Sequence, residues 1–341
     1  MSTADAVAVV LLIGATMYAV FGGADFGAGF WSLFAGAGER GRRPRELIDW
    51  AIGPVWEANH VWLIFVLVVL WTGFPSAFEA IFSTLFVPLS LAALGIVLHG
   101  SGFAFHKTAR RFKGRAAAER AFGVSSLLTP FFMGTVVGAI AGGRVPAGNA
   151  AGDPVSSWLN PLSLVTGSLF VATGAYLAAV FLVSDARRAA APELERYFTT
   201  RALIAGLLTG VLAAAGLVLL HSHAEDVFDG LVGDGLPLVV LSLACGLGVL
   251  VLLRRGGRRG ARPLAVGAVA AVIWGWGVAQ NPYLLPPKLS IADAAAPSAT
   301  LTSLLILFGA AIVVVLPSIA LLFVLVQRNL VGESPRPSPP T

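Results

Sequence analysis

The sequence predicts an all-α polytopic membrane protein with about nine transmembrane helices. Three observations carry that reading. Of the 341 residues, 57% are hydrophobic and only 12% charged, with a mean hydropathy of +0.83, whereas soluble domains carry roughly 25% charged residues. Apolar stretches long enough to cross hydrocarbon, about 20 residues each, recur along the whole chain. Finally, 21 of the 23 Lys and Arg fall in alternate connecting segments, so the net charge of +5 reads as a topology signal rather than a nucleic-acid surface.

The spans are expected near 6–33, 52–73, 76–103, 121–142, 161–184, 202–221, 236–253, 263–285 and 299–326. The first is preceded by MSTADAV, which has an acid and no Lys or Arg, so it reads as part of the mature protein rather than a cleaved signal. The second and third are parted by a turn at Gly73 and Pro75, which predicts an antiparallel pair. Arginines cluster after the first, third, fifth and seventh spans and in the tail, while Arg144 and Lys288 stand alone in the other loops. The N-terminus is therefore expected outside and the C-terminus in the cytoplasm. Residues 1–330 read as one integral membrane domain, and 331–341, with GESPRPSPPT starting at Gly332, as a disordered proline-rich cytoplasmic tail. Gly23/Gly27, Gly134/Gly138/Gly142 and Gly206/Gly210 have the four-residue spacing that lets helices approach closely.

Ionisable groups inside spans are costly and mark candidate sites. Asp25 lies late in the first span among glycines, and Glu57 opens the second, so both are expected at a shallow cytoplasmic depth. Glu57 and His60, three residues apart, share a helix face, and His99 returns to the same level late in the third span. Asp25, Glu57, His60 and His99 thus form a candidate proton path, against the plainer reading of interfacial side chains reaching the headgroups. The eighth span ends WGWGVAQNPYLLPP, where Trp274, Trp276 and Tyr283 fit either an interfacial aromatic belt or a wall for quinone or lipid. His221 and His223 read as a solvated loop. Cys245 is the only cysteine, no phosphate loop or nucleophile elbow is found, and no metal site is assigned. Haem iron takes His, Met, Cys or Tyr axial ligands, and Met17 and Met133, though deep in spans, face no obvious histidine. A proton-coupled secondary transporter using the same carboxylates is the alternative.

GGADFGAG at 22–29 resembles the D-G-F-D-x-G-x-G segment of subunit II of the cytochrome bd-type quinol oxidases, and PVWEANHVWL at 54–63 resembles that family's P-x-W-D-G-N-x-x-W-L. Weaker matches are SGFAFHK, TPFFMGTVVGAIAGG, WLNPLSLVTG and QNPYLLPP. Gly22 and Glu57 stand where the family has Asp, and Ala58 where it has Gly. Among the matching positions are Gly23, Asp25, Gly27, Trp56, Asn59 and Trp62, and Glu57 keeps a carboxylate at its position. The resemblance implies nine helices, packed as two four-helix bundles plus one further helix, in a complex that oxidises quinol and reduces oxygen to water. It implies haem b558, haem b595 and haem d on the partner, subunit I, with no haem ligated by this chain. It also leaves room for a structural quinone, bound lipid and small single-helix subunits. Asp25 and the Glu57 position would carry protons from the cytoplasm.

Overall fold

In hydrocarbon a backbone satisfies its own hydrogen bonds, so apolar runs become helices. The computed structural model describes residues 2–36, 38–52, 56–108, 115–257 and 259–327. The helices are α1 (Thr3–Leu33), α2 (Gly38–Ile52), α3 (Trp56–Gly73), α4 (Pro75–Thr84), α5 (Phe86–Thr108), α6 (Arg115–Ala141), α7 (Pro161–Arg188), α8 (Pro192–His223), α9 (Glu225–Val232), α10 (Leu236–Arg254), α11 (Ala261–Gln280), α12 (Ile291–Ala294) and α13 (Ser298–Gln327). A small antiparallel hairpin, β1 (Tyr283–Leu285) with β2 (Leu289–Ser290), lies between α11 and α12. Among the described residues, seven helices are by themselves long and apolar enough to span a membrane, and an eighth if the bent pair Asn59–Gly73 and Pro75–Thr84 counts as one span.

Local chemistry sets the ends. Ser2 and Asp5 form a reciprocal capping box that starts α1. Asn160 accepts from the Ser163 N–H at 3.0 Å and Pro161 takes the first helical position of α7.

Three expectations are corrected. The third span is not one helix: it breaks at Leu85 into α4 and α5. Pro88 lacks an N–H and its ring crowds the Thr84 carbonyl, which weakens the helix at that turn and favours a break there. Helix α4 leaves the axis of α3 by 117°, and α5, packed along α6, brings His99 back beside His60 of α3, 6.1 Å between ring centroids. The eighth span stops at Gln280 rather than 285, where the chain enters the hairpin and the Gln280 side-chain amide donates to the Leu284 carbonyl at 2.7 Å. The arginine-rich stretch after α1, read as a loop, contains α2, whose Gly41, Pro44, Leu47 and Ile48 are buried. The expected tail lies outside the described residues.

Helices α1, α3, α5 and α6 form one group, and α7, α8, α10 and α11 a second, with α13 against α1 and α3. Helix α7 is central: Tyr176 to Val180, Leu182, Val183 and Ala186 are buried against residues of α1, α2, α6, α8, α10 and α11. The two groups close tightly where Gly23 and Gly27 of α1 meet Gly174 of α7, since a Cβ at Gly27 would lie 1.9 Å from the Gly174 carbonyl oxygen. The Trp31 indole N–H donates to the Ala175 carbonyl at 2.8 Å across the same seam. Large apolar side chains on α8, α10 and α13, such as Leu207, Val218, Leu243 and Val313, are exposed and suit a lipid surface.

Ion pairs gather three of the arginine-bearing segments at one end of the helices. Arg43 of α2 pairs with Glu193 of α8 at 2.6 Å, Arg187 with Glu195 at 2.7 Å, and Asp185 accepts from both Arg188 and Arg262 at 2.8 and 2.7 Å. Arg187 also donates to the Gly257 carbonyl, and Arg45 to the Ser32 and Gly36 carbonyls.

Candidate functional site: a buried carboxylate between two histidines

Asp25 comes from α1, His60 from α3 and His99 from α5, and the structure brings all three together. Asp25 Oδ1 lies 3.6 Å from His99 Nε2 and Oδ2 lies 3.9 Å from His60 Nδ1. The side chains of Asp25 and His99 have no exposed surface, and that of His60 is 19% exposed. Both Asp25 oxygens and His99 Nε2 are buried atoms without a hydrogen-bond partner among the described residues. The separations exceed the 2.7–3.2 Å typical of a direct N–H···O bond, so each gap would be bridged by one water or closed by a small side-chain rotation.

The glycines flanking Asp25 explain how a carboxylate reaches this depth. Gly27 lets α1 press on α7, and Gly29 leaves room for the Ser126 hydroxyl of α6, which a Cβ there would meet at 1.9 Å. The rings of Phe26 and Phe122 pack on His99 with centroids 4.6 and 4.5 Å away, and Phe26 lies 5.9 Å from His60. His99 Nδ1 lies 3.1 Å from Ser126 Oγ. An apolar wall of this kind lowers the local dielectric, so charge in the cluster must be matched within it.

The remaining expected residues fall as follows. Trp56 and Glu57 belong to the first turn of α3, but their side chains lie outside the described residues, as does that of His106. Asn59 is buried, and Trp62 packs edge-on to Phe65. Trp276 is partly buried between two apolar clusters, whereas Trp274, two residues earlier on a helix that turns 100° per residue, points to a different face. Tyr283 is exposed in β1. The three aromatics are therefore not brought together as one wall. His221 packs on Phe228, 4.7 Å between ring centroids. No group of three or more His, Cys, Asp or Glu able to hold a metal is found among the described residues. His99 does not fit an axial haem ligand, because one ring nitrogen faces Asp25, the other faces Ser126, and aromatic rings pack against it. Ser126, Phe26 and Phe122 were missed from sequence. The only trace was a polar pair, Ser125 and Ser126, set inside an apolar span.

Comparison with known proteins decides the family. Residues 3–326 match the family described as cytochrome bd terminal oxidase subunit II. The chain belongs to that family. The membership displaces the transporter alternative and fits a multi-pass protein of a bacterial membrane. Similar relatives include the "Putative cytochrome bd menaquinol oxidase subunit II" of Bacillus subtilis (strain 168), 22% identical with 92% of each chain covered. The cytochrome bd ubiquinol oxidase subunit 2 of the same organism is 25% identical over 68% of this chain and 67% of its own. A solved bd oxidase from Geobacillus thermodenitrificans superimposes with a TM-score of 0.75 at 27% identity, over 96% of this chain and all of that one.

Proposed function

We propose that this chain is the proton-delivering and structural subunit of a quinol:oxygen oxidoreductase, joined to a haem-bearing subunit I. The observation that carries the reading is the buried Asp25 carboxylate held between His60 and His99. An isolated charge at this depth is strongly unfavourable, but a proton passing from Asp25 to an imidazole leaves an ion pair at 3.6 Å rather than a lone charge. The cluster can therefore pass a proton between its own members without creating net charge, and each uptake or release changes its charge by one, a change the apolar surroundings favour only when it neutralises the Asp25 carboxylate.

The side from which protons come follows from the arginines. Excess Lys and Arg mark cytoplasmic segments, and Asp25 lies seven residues, about 10 Å along the helix, inside Ser32, whose carbonyl is bound by Arg45. Protons consumed in water formation would enter from the cytoplasm by way of Glu57, His60, Asp25 and His99, with quinol oxidised on the outer side and its protons released there. Charge separation then follows without a pump. Haem b558, haem b595 and haem d on subunit I would supply the electron transfer. This chain contributes the proton site and the packed scaffold. Both ubiquinol and menaquinol occur in the names of relatives, so the reading holds for a quinol in general.

The test is oxidase turnover in Asp25→Asn and Glu57→Gln complexes. Turnover is expected to fall several-fold with haem content unchanged. Full turnover in Asp25→Asn removes the carboxylate from the path, and a loss of assembled complex in both variants assigns these residues to assembly alone.

A further inference from the structure

Ser126 stands in the middle of α6 with two neighbours. Its Oγ lies 2.6 Å from the Phe122 carbonyl oxygen and 3.1 Å from His99 Nδ1. Two oxygens at 2.6 Å need a proton between them, and a carbonyl brings none. The single hydroxyl hydrogen of Ser126 is therefore committed to Phe122, in the back-bonded arrangement that serine adopts inside helices. Ser125 donates to the same carbonyl from 2.9 Å, so the pair anchors one turn of α6. What Ser126 offers His99 is only lone pairs, and the hydrogen of the Nδ1···Oγ contact must come from the imidazole.

We propose that Ser126 is a positioning residue of the proton site, fixing His99 with its proton on Nδ1 so that Nε2 is the nitrogen that exchanges a proton with Asp25. The inference rests on the proton-site reading and deepens it. With Nδ1–H fixed, the neutral ring presents an Nε2 lone pair to Asp25 Oδ1 at 3.6 Å. A protonated Asp25 can then give its proton to Nε2 and become a carboxylate beside an imidazolium, and the reverse step restores both neutral groups. No flip of the ring is needed, only the small approach that closes the gap, and no net charge is created. In the opposite tautomer Nε2 already carries hydrogen, so the neutral ring cannot accept a proton from Asp25, and the exchange stops. The Phe26 and Phe122 rings against His99 and the absent side chain at Gly29, whose Cβ would fall on Ser126 Oγ, hold this arrangement.

The experiment is nitrogen NMR of the intact oxidase complex carrying isotope-labelled histidine, with the His99 signals assigned by their loss in His99→Gln. Nδ1 is expected to be protonated at neutral pH in the parent, whether Nε2 carries a lone pair or a second proton. In Ser126→Ala the neutral ring should shift toward the Nε2–H form and turnover should fall several-fold at unchanged haem content. An unprotonated Nδ1 in the parent overturns the proposal, and so does Ser126→Ala with Nδ1 still protonated and turnover unchanged. If Ser126→Ala does not assemble, the parent spectrum alone decides. Failure of the proton-site reading is separable, because it shows as full turnover in Asp25→Asn whatever the tautomer of His99.

Discussion

Replacing Gly27 by alanine should damage this protein more than its one added methyl suggests. A Cβ at Gly27 would lie 1.9 Å from the Gly174 carbonyl oxygen and 2.3 Å from its carbon, where ordinary contact begins at 3.4 Å. The obstructing atoms are backbone and cannot rotate away, so α1 and α7 must part by about 1.5 Å, the difference between 3.4 and 1.9 Å. Overpacking typically costs about 1–3 kcal/mol. Parting also stretches the Trp31 bond to Ala175, worth about 1 kcal/mol, and moves Asp25, two residues away, relative to His99. The expected result is therefore a lower melting temperature of the purified complex together with reduced turnover. Gly210→Ala and Gly216→Ala provide the comparison, since nothing lies within 4 Å of a Cβ at either position on α8. There the same methyl should stabilise by about 0.5–1 kcal/mol through helix propensity. If Gly27→Ala melts and turns over like the parent, the close α1–α7 approach is refuted.

Two further outcomes are expected. Trp31→Phe removes the indole N–H that reaches the Ala175 carbonyl at 2.8 Å while keeping most of the apolar ring, so stability should drop by about 0.5–1.5 kcal/mol, read from thermal melts; an unchanged melt would mean the bond contributes nothing. In the loop before α7, Asp153 is held below the usual carboxylate value, chiefly by the Ser156 backbone N–H and then by that of Val155. A depressed folded value means this turn is stabilised above the ordinary value of about 3.9 and loses that support as pH falls through the lower folded value. The carboxyl carbon shift of Asp153 followed against pH should have its midpoint below the ordinary value, and a midpoint at or above it would contradict the assigned bonds.

Much of the architecture was legible because its cause is local. Whether a segment can cross hydrocarbon depends on its own length and polarity, so each expected span falls on a helix or a helix pair, and the tryptophan, carboxylate and asparagine pattern at 54–63 pointed to the right family. The misreadings have equally local causes that were visible but outweighed. The spacing of Gly41, Pro44, Leu47 and Ile48 announced α2 beneath its arginines, whereas Pro88 was an ambiguous sign of the break at Leu85, since Pro130 and Pro317 lie inside α6 and α13. The glycine stripes divide differently. Gly27, Gly134 and Gly138 each meet a facing helix backbone, while Gly210, with the same spacing, meets nothing within 4 Å.

The sequence by itself determined that this is a helical membrane protein, where its arginines gather, and that Asp25, His60 and His99 needed an explanation. Only the tertiary structure decided that those three side chains meet and that Ser126 of a fourth helix completes the group. The physical reason is that a span's insertion is decided by its own residues, whereas a side chain's partner depends on how far each helix turns and how closely its neighbour can approach. Here that approach is governed by glycines such as Gly27, whose partner Gly174 lies more than a hundred residues away in the chain.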